Sequence, residues 1–228
     1  IPYSNVKERM EEIAKYGTPT FKRIYADWTK PHVTGWKNVF LENAITPIQQ
    51  YSYTSGKNSS DSALIIDAMD ILYSGKVDGF CIISSDSDFT RLATRLREAG
   101  MKVFGIGQKK TPNPFIVACD KFIYLEVIAT ADTAENETPE KETNVKPEIK
   151  KSVDKINKKI IHLIASSIED LADENGWAFL GDVGNLLLKK QPNFDPRNFG
   201  FQKLTSLINS LSQFEIDKRE TEKRGTKL

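Results

Sequence analysis

Apolar residues alternate between strand-like and helix-like spacing over the first 128 residues of the chain. Short apolar runs bounded by turn residues predict strands, and apolar positions three or four residues apart predict the helices between them. The strands are predicted at 21–26, 48–53, 80–84, 102–105 and 122–125, and the helices at 4–15, 36–43, 60–73, 89–98 and near Phe115. This alternation is typical of an α/β domain with a Rossmann-like parallel sheet that has helices on both faces.

A second pattern, purely helical at first, occupies residues 153–228. Helical spacing predicts one helix from Ile156 to Leu171, a short one over 183–187 and a third over 201–211. Phe214 and Ile216 are predicted to start a strand. Three helices and a terminal hairpin indicate a small winged helix-turn-helix domain.

Residues 129–152 separate the two patterns and differ from both in composition. They contain no aromatic residue, two prolines and many Thr, Glu and Lys residues. Such a segment buries too little apolar surface to offset the entropy of ordering. We therefore predict a flexible linker between a domain at 1–128 and a domain at 153–228.

Composition narrows the classes of function. The net charge of +1 disfavours binding of polyanions by bulk electrostatics, so local sites must supply any such contact. The two cysteines, Cys81 and Cys119, are expected to be buried thiols. No apolar stretch approaches the ~20 residues that cross a bilayer, and we expect a soluble, cytoplasmic protein.

Aspartates follow several predicted strands where each strand ends. Asp86 and Asp88 come directly after the strand at 80–84, while Asp61 and Asp27 follow the two earlier strands. The carboxyl ends of parallel strands meet at one edge of a sheet, so these carboxylates should converge there. Two carboxylates ~4 Å apart repel by ~4 kcal/mol at an effective dielectric of ~20, and a divalent cation relieves this repulsion.

These acids predict a site for Mg²⁺ or Mn²⁺, which prefer oxygen ligands. Asp67 is a weaker candidate because it lies ~240° around the helix from Asp61. A structural alternative is that Ser85, Asp86 and Asp88 merely cap the helix that begins near Phe89.

Candidate substrate contacts surround these acids. Lys57 and Asn58 lie in a Gly/Ser-rich loop beside Asp61, and Ser85 and Arg91 flank Asp86 and Asp88. The Walker A and dinucleotide-binding patterns are both incomplete at Gly56-Lys57 and at 105–110.

The Asp-Ser-Asp-Phe-Thr segment at 86–90 also fits the Asp-x-Asp-x-Thr motif of haloacid dehalogenase-like phosphatases. In such an enzyme Asp86 would be the nucleophile and Asp88 the acid/base. In those phosphatases the motif lies at the end of the first strand, and a long sequence follows it. Here only about 40 residues remain before the predicted linker, so this alternative is a remote one.

The chain carries Ser-Ser-Asp-Ser-Asp-Phe at 84–89 within the segment 56–107, and Tyr-Ala-Asp-Trp at 25–28. Together with residues 118–126, these stretches resemble the NYN domains of the PIN-like nuclease superfamily, in a bacterial branch similar to LabA proteins. The resemblance implies a metal-dependent ribonuclease, with Asp61, Asp86 and Asp88 as catalytic metal ligands and Asp67 as a further acidic position. Members of the family begin with a strand that ends in an acidic motif. We expect roughly ten further residues before Ile1 that form this central strand, and a native start codon at Ile1 would contradict this.

Residues 176–211, above all the stretch Pro192–Gly200, resemble the LOTUS domain, also called OST-HTH. The resemblance implies binding of RNA, including guanine-rich structured RNA, or of a protein partner. The expected phosphate contacts are Lys189, Lys190, Arg197 and Lys203. Two hypotheses follow: a Mg²⁺- or Mn²⁺-dependent ribonuclease that is guided to RNA by the LOTUS domain, or a non-catalytic RNA-binding adaptor.

Overall fold

The computed structural model describes residues 5–33, 35–51, 59–129 and 154–217. The chain divides into two compact units. The first comprises residues 1–149 with 188–193, and the second comprises residues 150–187 with 194–228. The predicted linker therefore lies almost entirely outside the described residues.

The first unit confirms the predicted parallel α/β architecture. Its strands are β1 Arg23–Ala26, β2 Thr46–Gln49, β3 Gly79–Ile83, β4 Lys102–Gly107 and β5 Lys121–Tyr124. Its helices are α1 Val6–Ala14, α2 Trp36–Asn43, α3 Ser59–Ser74, α4 Thr90–Glu98, α5 Asn113–Val117 and α6 Leu125–Ala129, with short 3₁₀ helices at Pro31–Val33 and Ser87–Phe89. The sequence pattern did not predict α6 or the first 3₁₀ helix.

The strands form two parallel sheets. One pairs β1 with β2, with Arg23 opposite Thr46, and the other has the order β3-β4-β5. Among the described residues, β1 and β3 each pair with a neighbour on one side only. Helix α3 packs on β1, and its side chains Leu64, Ile65, Met69 and Leu72 pack on the core that contains Ile82 of β3. The same helix thus joins the two sheets.

Aromatic and aliphatic side chains fill the space between the three-stranded sheet and the helices α3, α4 and α5. Leu96, Val103, Phe115 and Phe122 are almost completely inaccessible to solvent. Each contributes ~1.5–3 kcal/mol of burial free energy relative to an exposed side chain. The opposite face packs Ile106, Ile123 and Ile128 against residues of α1 and α6. Both faces of the sheet are thereby covered, as a parallel sheet requires.

The prediction of buried thiols holds for Cys119 and only in part for Cys81. Cys119 is buried, Cys81 is half-buried, and both are free thiols. Burial raises the pKa of each thiol to about 12, so neither carries thiolate character near neutral pH.

The second unit is a small helical domain. Its helices are α7 Lys158–Glu169, α8 Leu180–Lys190 and α9 Leu204–Asn209, with a 3₁₀ helix at Pro196–Phe199. Ile164, Val183, Leu187 and Leu207 form its core. The Asn157 side chain caps α7 by accepting a hydrogen bond of 3.1 Å from the Ile160 amide.

The predicted strand at the end of this domain is not found in the described residues. Residues 214–217 have no strand assignment, and the chain from 218 onward lies outside the description. A strand forms only when a second strand pairs with it, and the apolar spacing of Phe214 and Ile216 alone does not supply that partner. No helix in the described ranges combines the length and the apolar character needed to span a membrane.

Candidate metal centre

Three carboxylates from the start of α3 and from the segment after β3 meet at the carboxyl edge of the sheet. Asp61 lies in the first turn of α3, and Asp86 and Asp88 lie in the loop that follows β3. One oxygen atom of each side chain lies within 4.8 Å of an oxygen of each of the others. Asp61 is half-buried, whereas Asp86 and Asp88 are exposed. The structure therefore brings together the three residues that the sequence predicts as metal ligands.

Local hydrogen bonds give the β3 loop its shape. The Asp86 amide donates to the Ser84 hydroxyl at 3.1 Å, and the Asp88 amide donates to Asp86 Oδ1 at 3.0 Å. Asp86 thus caps the 3₁₀ helix Ser87–Phe89, and the buried Phe89 ring anchors that helix in the core. The capping alternative holds for Asp86, but it does not exclude metal binding, because a carboxylate has two oxygens and about four acceptor sites.

The electrostatics of the three carboxylates favour the neutralisation of Asp61. Burial, followed by the charges of Asp86 and Asp88, raises the pKa of Asp61, and a weak 3.4 Å hydrogen bond from the Ser60 hydroxyl opposes the shift. A proton or a cation is therefore favoured at this position. The mutual repulsion of the three carboxylates favours binding of a cation.

A divalent ion fits this donor set. Oxygen ligands around Mg²⁺ at ~2.1 Å lie within ~4.2 Å of one another. The aspartate oxygens lie within 4.8 Å of one another, which is close to that limit. Three hard carboxylate oxygens favour Mg²⁺ or Mn²⁺ over metals that prefer sulfur or imidazole.

Two other aspartates that were considered lie outside this group. Asp67 accepts hydrogen bonds from the Arg23 guanidinium and from the Tyr25 hydroxyl of β1. Asp27 accepts from the Thr29 hydroxyl at 2.6 Å and from the Gln49 amide nitrogen at 3.1 Å. Both carboxylates thus accept hydrogen bonds from side-chain donors of the chain itself.

The predicted substrate contacts of the first unit have different surroundings. Ser85 accepts a hydrogen bond of 2.9 Å from the Gln108 amide and thereby ties the β3 loop to the loop after β4. Arg91 is exposed on α4, with its Nη1 3.8 Å from Glu98 Oε1. Lys57 and Asn58 lie outside the described residues.

The four predicted RNA contacts in the C-terminal helical domain differ in their exposure. Lys189, Lys190 and Lys203 are exposed. Arg197 instead pairs with Asp195, with its Nη2 2.7 Å and its Nε 3.0 Å from the carboxylate oxygens. This pair is largely buried and fixes the turn before α9, because the same carboxylate also accepts from the Arg197 amide at 2.9 Å.

The sequence analysis did not single out the loop after β4, which also reaches the carboxyl edge. It carries Lys109 and Lys110, and Glu126 of α6 accepts from the Lys109 amide at 3.1 and 3.2 Å. The available signal was positional: two lysines follow Gly107 at the end of a predicted strand, where parallel sheets bind ligands.

Family comparisons agree with this architecture. The parallel sheet with flanking helices is a PIN-like α/β fold. The NYN domain model matches residues 1–126, and the chain belongs to the NYN family. The OST-HTH/LOTUS domain model matches residues 151–225. No curated protein matches the chain.

Proposed function

We propose that this protein is a metal-dependent ribonuclease that hydrolyses RNA phosphodiester bonds and is directed to RNA by its LOTUS domain. The observation that carries the proposal is the convergence of three aspartate oxygens within 4.8 Å at the carboxyl edge of an NYN domain. Membership of the NYN family disfavours the phosphatase alternative for the same aspartates.

The residues have separate roles in this proposal. Asp61 and Asp86 would hold a Mg²⁺ or Mn²⁺ ion, and Asp88 would orient the ion or the water. When bound, such an ion supplies an activated water and neutralises the negative charge that develops on the phosphate. The hydrogen bond from the Asp88 amide fixes the Asp86 carboxylate in the loop, which supports preorganisation of the site.

The LOTUS domain has the task of concentrating RNA near this site. The exposed Lys189, Lys190 and Lys203 are its candidate phosphate contacts, while Arg197 has a structural role. Because both domains belong to one chain, RNA held by the LOTUS domain would reach the aspartates at a raised effective concentration. The same proposal places the protein in the cytoplasm, where free thiols stay reduced.

We extend the proposal to a strand between β1 and β3, formed by residues that precede α1 and ending in a further aspartate. Its support is the unpaired edge that β1 and β3 each have among the described residues, together with the packing of α3 on both sheets. A fourth carboxylate there would complete the ligand set. The codons before Ile1 test this extension: a start codon at Ile1 contradicts it, and an apolar segment that ends in Asp agrees with it.

The central experiment compares RNA cleavage by the full chain and by Asp86→Asn in the presence of Mn²⁺ or Mg²⁺. Asparagine keeps the oxygen that accepts from the Asp88 amide, so the loop is retained while the charge is lost. We expect cleavage to fall at least about a hundredfold, which corresponds to ~2.7 kcal/mol of transition-state stabilisation. Asp70→Asn is the matched control, because Asp70 is exposed on the same helix as Asp61 and outside the carboxylate group.

Equal cleavage by the full chain and by Asp86→Asn would refute the ribonuclease proposal. If neither protein cuts RNA but both bind it, the domain is a non-catalytic RNA-binding adaptor. If cleavage persists after divalent ions are chelated, the activity does not depend on a metal ion held by the aspartates.

A further inference from the structure

The turn Gln108–Thr111 emerges beside the aspartate loop. Strands β3 and β4 are parallel neighbours with Ile83 opposite Ile106, and the Ser84 amide extends this pairing by donating to the Ile106 carbonyl at 2.9 Å. Paired strands lie ~4.8 Å apart, so the two loops leave the sheet side by side.

Hydrogen bonds to both neighbouring strand ends hold this turn in place. On the β3 side, the Gln108 amide donates to the hydroxyl of Ser85, the residue that precedes Asp86. On the β5 side, the Lys109 amide donates to the Glu126 carboxylate. The turn itself is closed by the Thr111 amide, which donates to the Gln108 carbonyl at 2.9 Å.

Gly107 shows how closely the two loops approach. A Cβ atom at this position would lie 2.5 Å from the Ser84 carbonyl oxygen and 2.7 Å from the Thr111 hydroxyl. Any side chain would therefore force the turn away from the aspartate loop. The absence of a side chain permits the contact, as glycine does wherever two backbone segments come together.

Lysine is an unusual residue at the centre of a turn. Positions of this kind favour Gly, Asn, Asp, Ser or Pro, yet Lys109 and Lys110 occupy them. Lys110 is exposed. A polyanion that approaches three carboxylates is repelled, and a fixed cation at the same edge reduces this repulsion locally.

We propose that this turn is a phosphate-binding element in which Lys110 contacts the RNA backbone next to the phosphate that is cleaved. Ser85 acts as a positioning residue, because its hydroxyl holds the turn against the aspartate loop. The inference rests on the proposed ribonuclease function. Lysine is suited to this role as a mobile point charge that neutralises a phosphate without reading the base.

Binding of a single-stranded oligoribonucleotide to the full chain in the presence of chelator tests the contact without cleavage. One phosphate contact changes the salt slope of log K by ~0.7 for single strands, which is about fivefold in affinity at ~0.1 M salt. We expect Lys110→Ala to bind the RNA about fivefold more weakly than the native chain at ~0.1 M salt. The ratio of the two affinities should fall about 2.5-fold between ~50 and ~200 mM salt. Lys110→Arg should retain affinity.

The control is Lys102→Ala, since Lys102 is exposed at the amino end of the same strand and thus at the opposite edge of the sheet. Equal affinity and salt slope for Lys110→Ala and Lys102→Ala would overturn the inference. Ser85→Ala should weaken binding by itself but add nothing in the Lys110→Ala background. Additive losses would contradict the positioning role of Ser85.

Cleavage provides a second measurement in case RNA binding is dominated by the LOTUS domain. Lys110→Ala should lower kcat/KM about fivefold at ~0.1 M salt, with the Mn²⁺ concentration of half-maximal activity unchanged. An unaltered kcat/KM would overturn the inference even while Asp86→Asn abolishes cleavage. Conversely, full activity of Asp86→Asn would refute the ribonuclease proposal and leave the binding result for Lys110 as a separate fact.

Discussion

Helix α3 carries two aspartates whose surroundings are opposite in character. Asp61, at its first turn, lies close to Asp86 and Asp88, so each of these three carboxylates has like charges as neighbours. Six residues further on, Asp67 accepts hydrogen bonds from Arg23 and Tyr25. Asp67 pairs with a cation of the chain itself. Asp61 accepts a weak hydrogen bond from the Ser60 hydroxyl and lies among like charges, whose repulsion a bound cation would relieve.

The pKa shifts express the same difference. The pKa of Asp61 is raised by burial and by its acidic neighbours. Near Asp67, the pKa of Arg23 is raised, above all by the hydrogen bond to that carboxylate. The pKa of Tyr25 is raised too, first by burial and then by Asp67. The contact with Asp67 therefore favours the charged form of Arg23 and the neutral form of Tyr25, whereas the Asp61 anion is disfavoured until a cation binds.

The largest effect on stability is expected from replacing Asp67. Asp67→Asn removes the charge that Arg23 and Tyr25 bind, so we expect the free energy of unfolding to fall by about 1–2 kcal/mol. The expected loss is moderate because the Arg23 side chain remains 31% exposed and can be hydrated. Chemical denaturation of the metal-free protein measures the change.

The control for this substitution is again Asp70→Asn, an exposed change on the same helix. Surface substitutions of this kind stay within about 0.5 kcal/mol. The comparison would break if Asp67→Asn also abolished the thermal stabilisation by Mn²⁺, because Asp67 would then act as a ligand of the metal.

A smaller effect concerns the pH dependence of stability. Since the folded-state pKa of Asp61 is raised, the metal-free protein binds this proton more tightly than the unfolded chain does. Its stability should therefore decrease as pH rises from the ordinary carboxyl pKa through the raised folded-state value. Asp61→Asn removes this contribution, so the variant should gain stability relative to the native chain across that window.

Thermal unfolding in the presence of chelator, followed from acidic to neutral pH, measures the difference between the two proteins. It should be near zero at low pH, where Asp61 is protonated in both states, and reach a plateau near neutrality. A difference that is independent of pH, or one that reverses its sign, would mean that Asp61 does not have the raised pKa on which the metal-site argument relies. Added Mn²⁺ should stabilise the native chain more than Asp61→Asn.

The helical pattern predicted several elements closely. The helix expected at 36–43 is α2, Trp36–Asn43, and the one expected at 60–73 differs from α3 by one residue at each end. The strand expected at 48–53 instead begins at Thr46, because pairing with Arg23 of β1 sets its start. Helix α6 was missed, since a helix of five residues is too short for apolar spacing to become visible.

The roles of Arg197 and Asp67 were beyond the reach of sequence patterns. Arg197 looks like any basic residue of an RNA-binding domain until Asp195 is seen to bind its guanidinium in two places. Asp67 looks like a further metal ligand until the fold brings in Arg23 and Tyr25, more than forty positions away in the chain. Partners at such separations depend on how the helix lies on the strand.

The amino-acid order by itself determined the alternation of strands and helices, and with it the edge at which Asp61, Asp86 and Asp88 collect. That much follows from local periodicity and from the common direction of parallel strands. Only the tertiary structure decided that Asp67 pairs with Arg23 while Asp61 lies among acids, and which turn carries Lys110 to the same edge. These outcomes depend on distances between atoms that are remote in sequence, and electrostatic energies follow those distances.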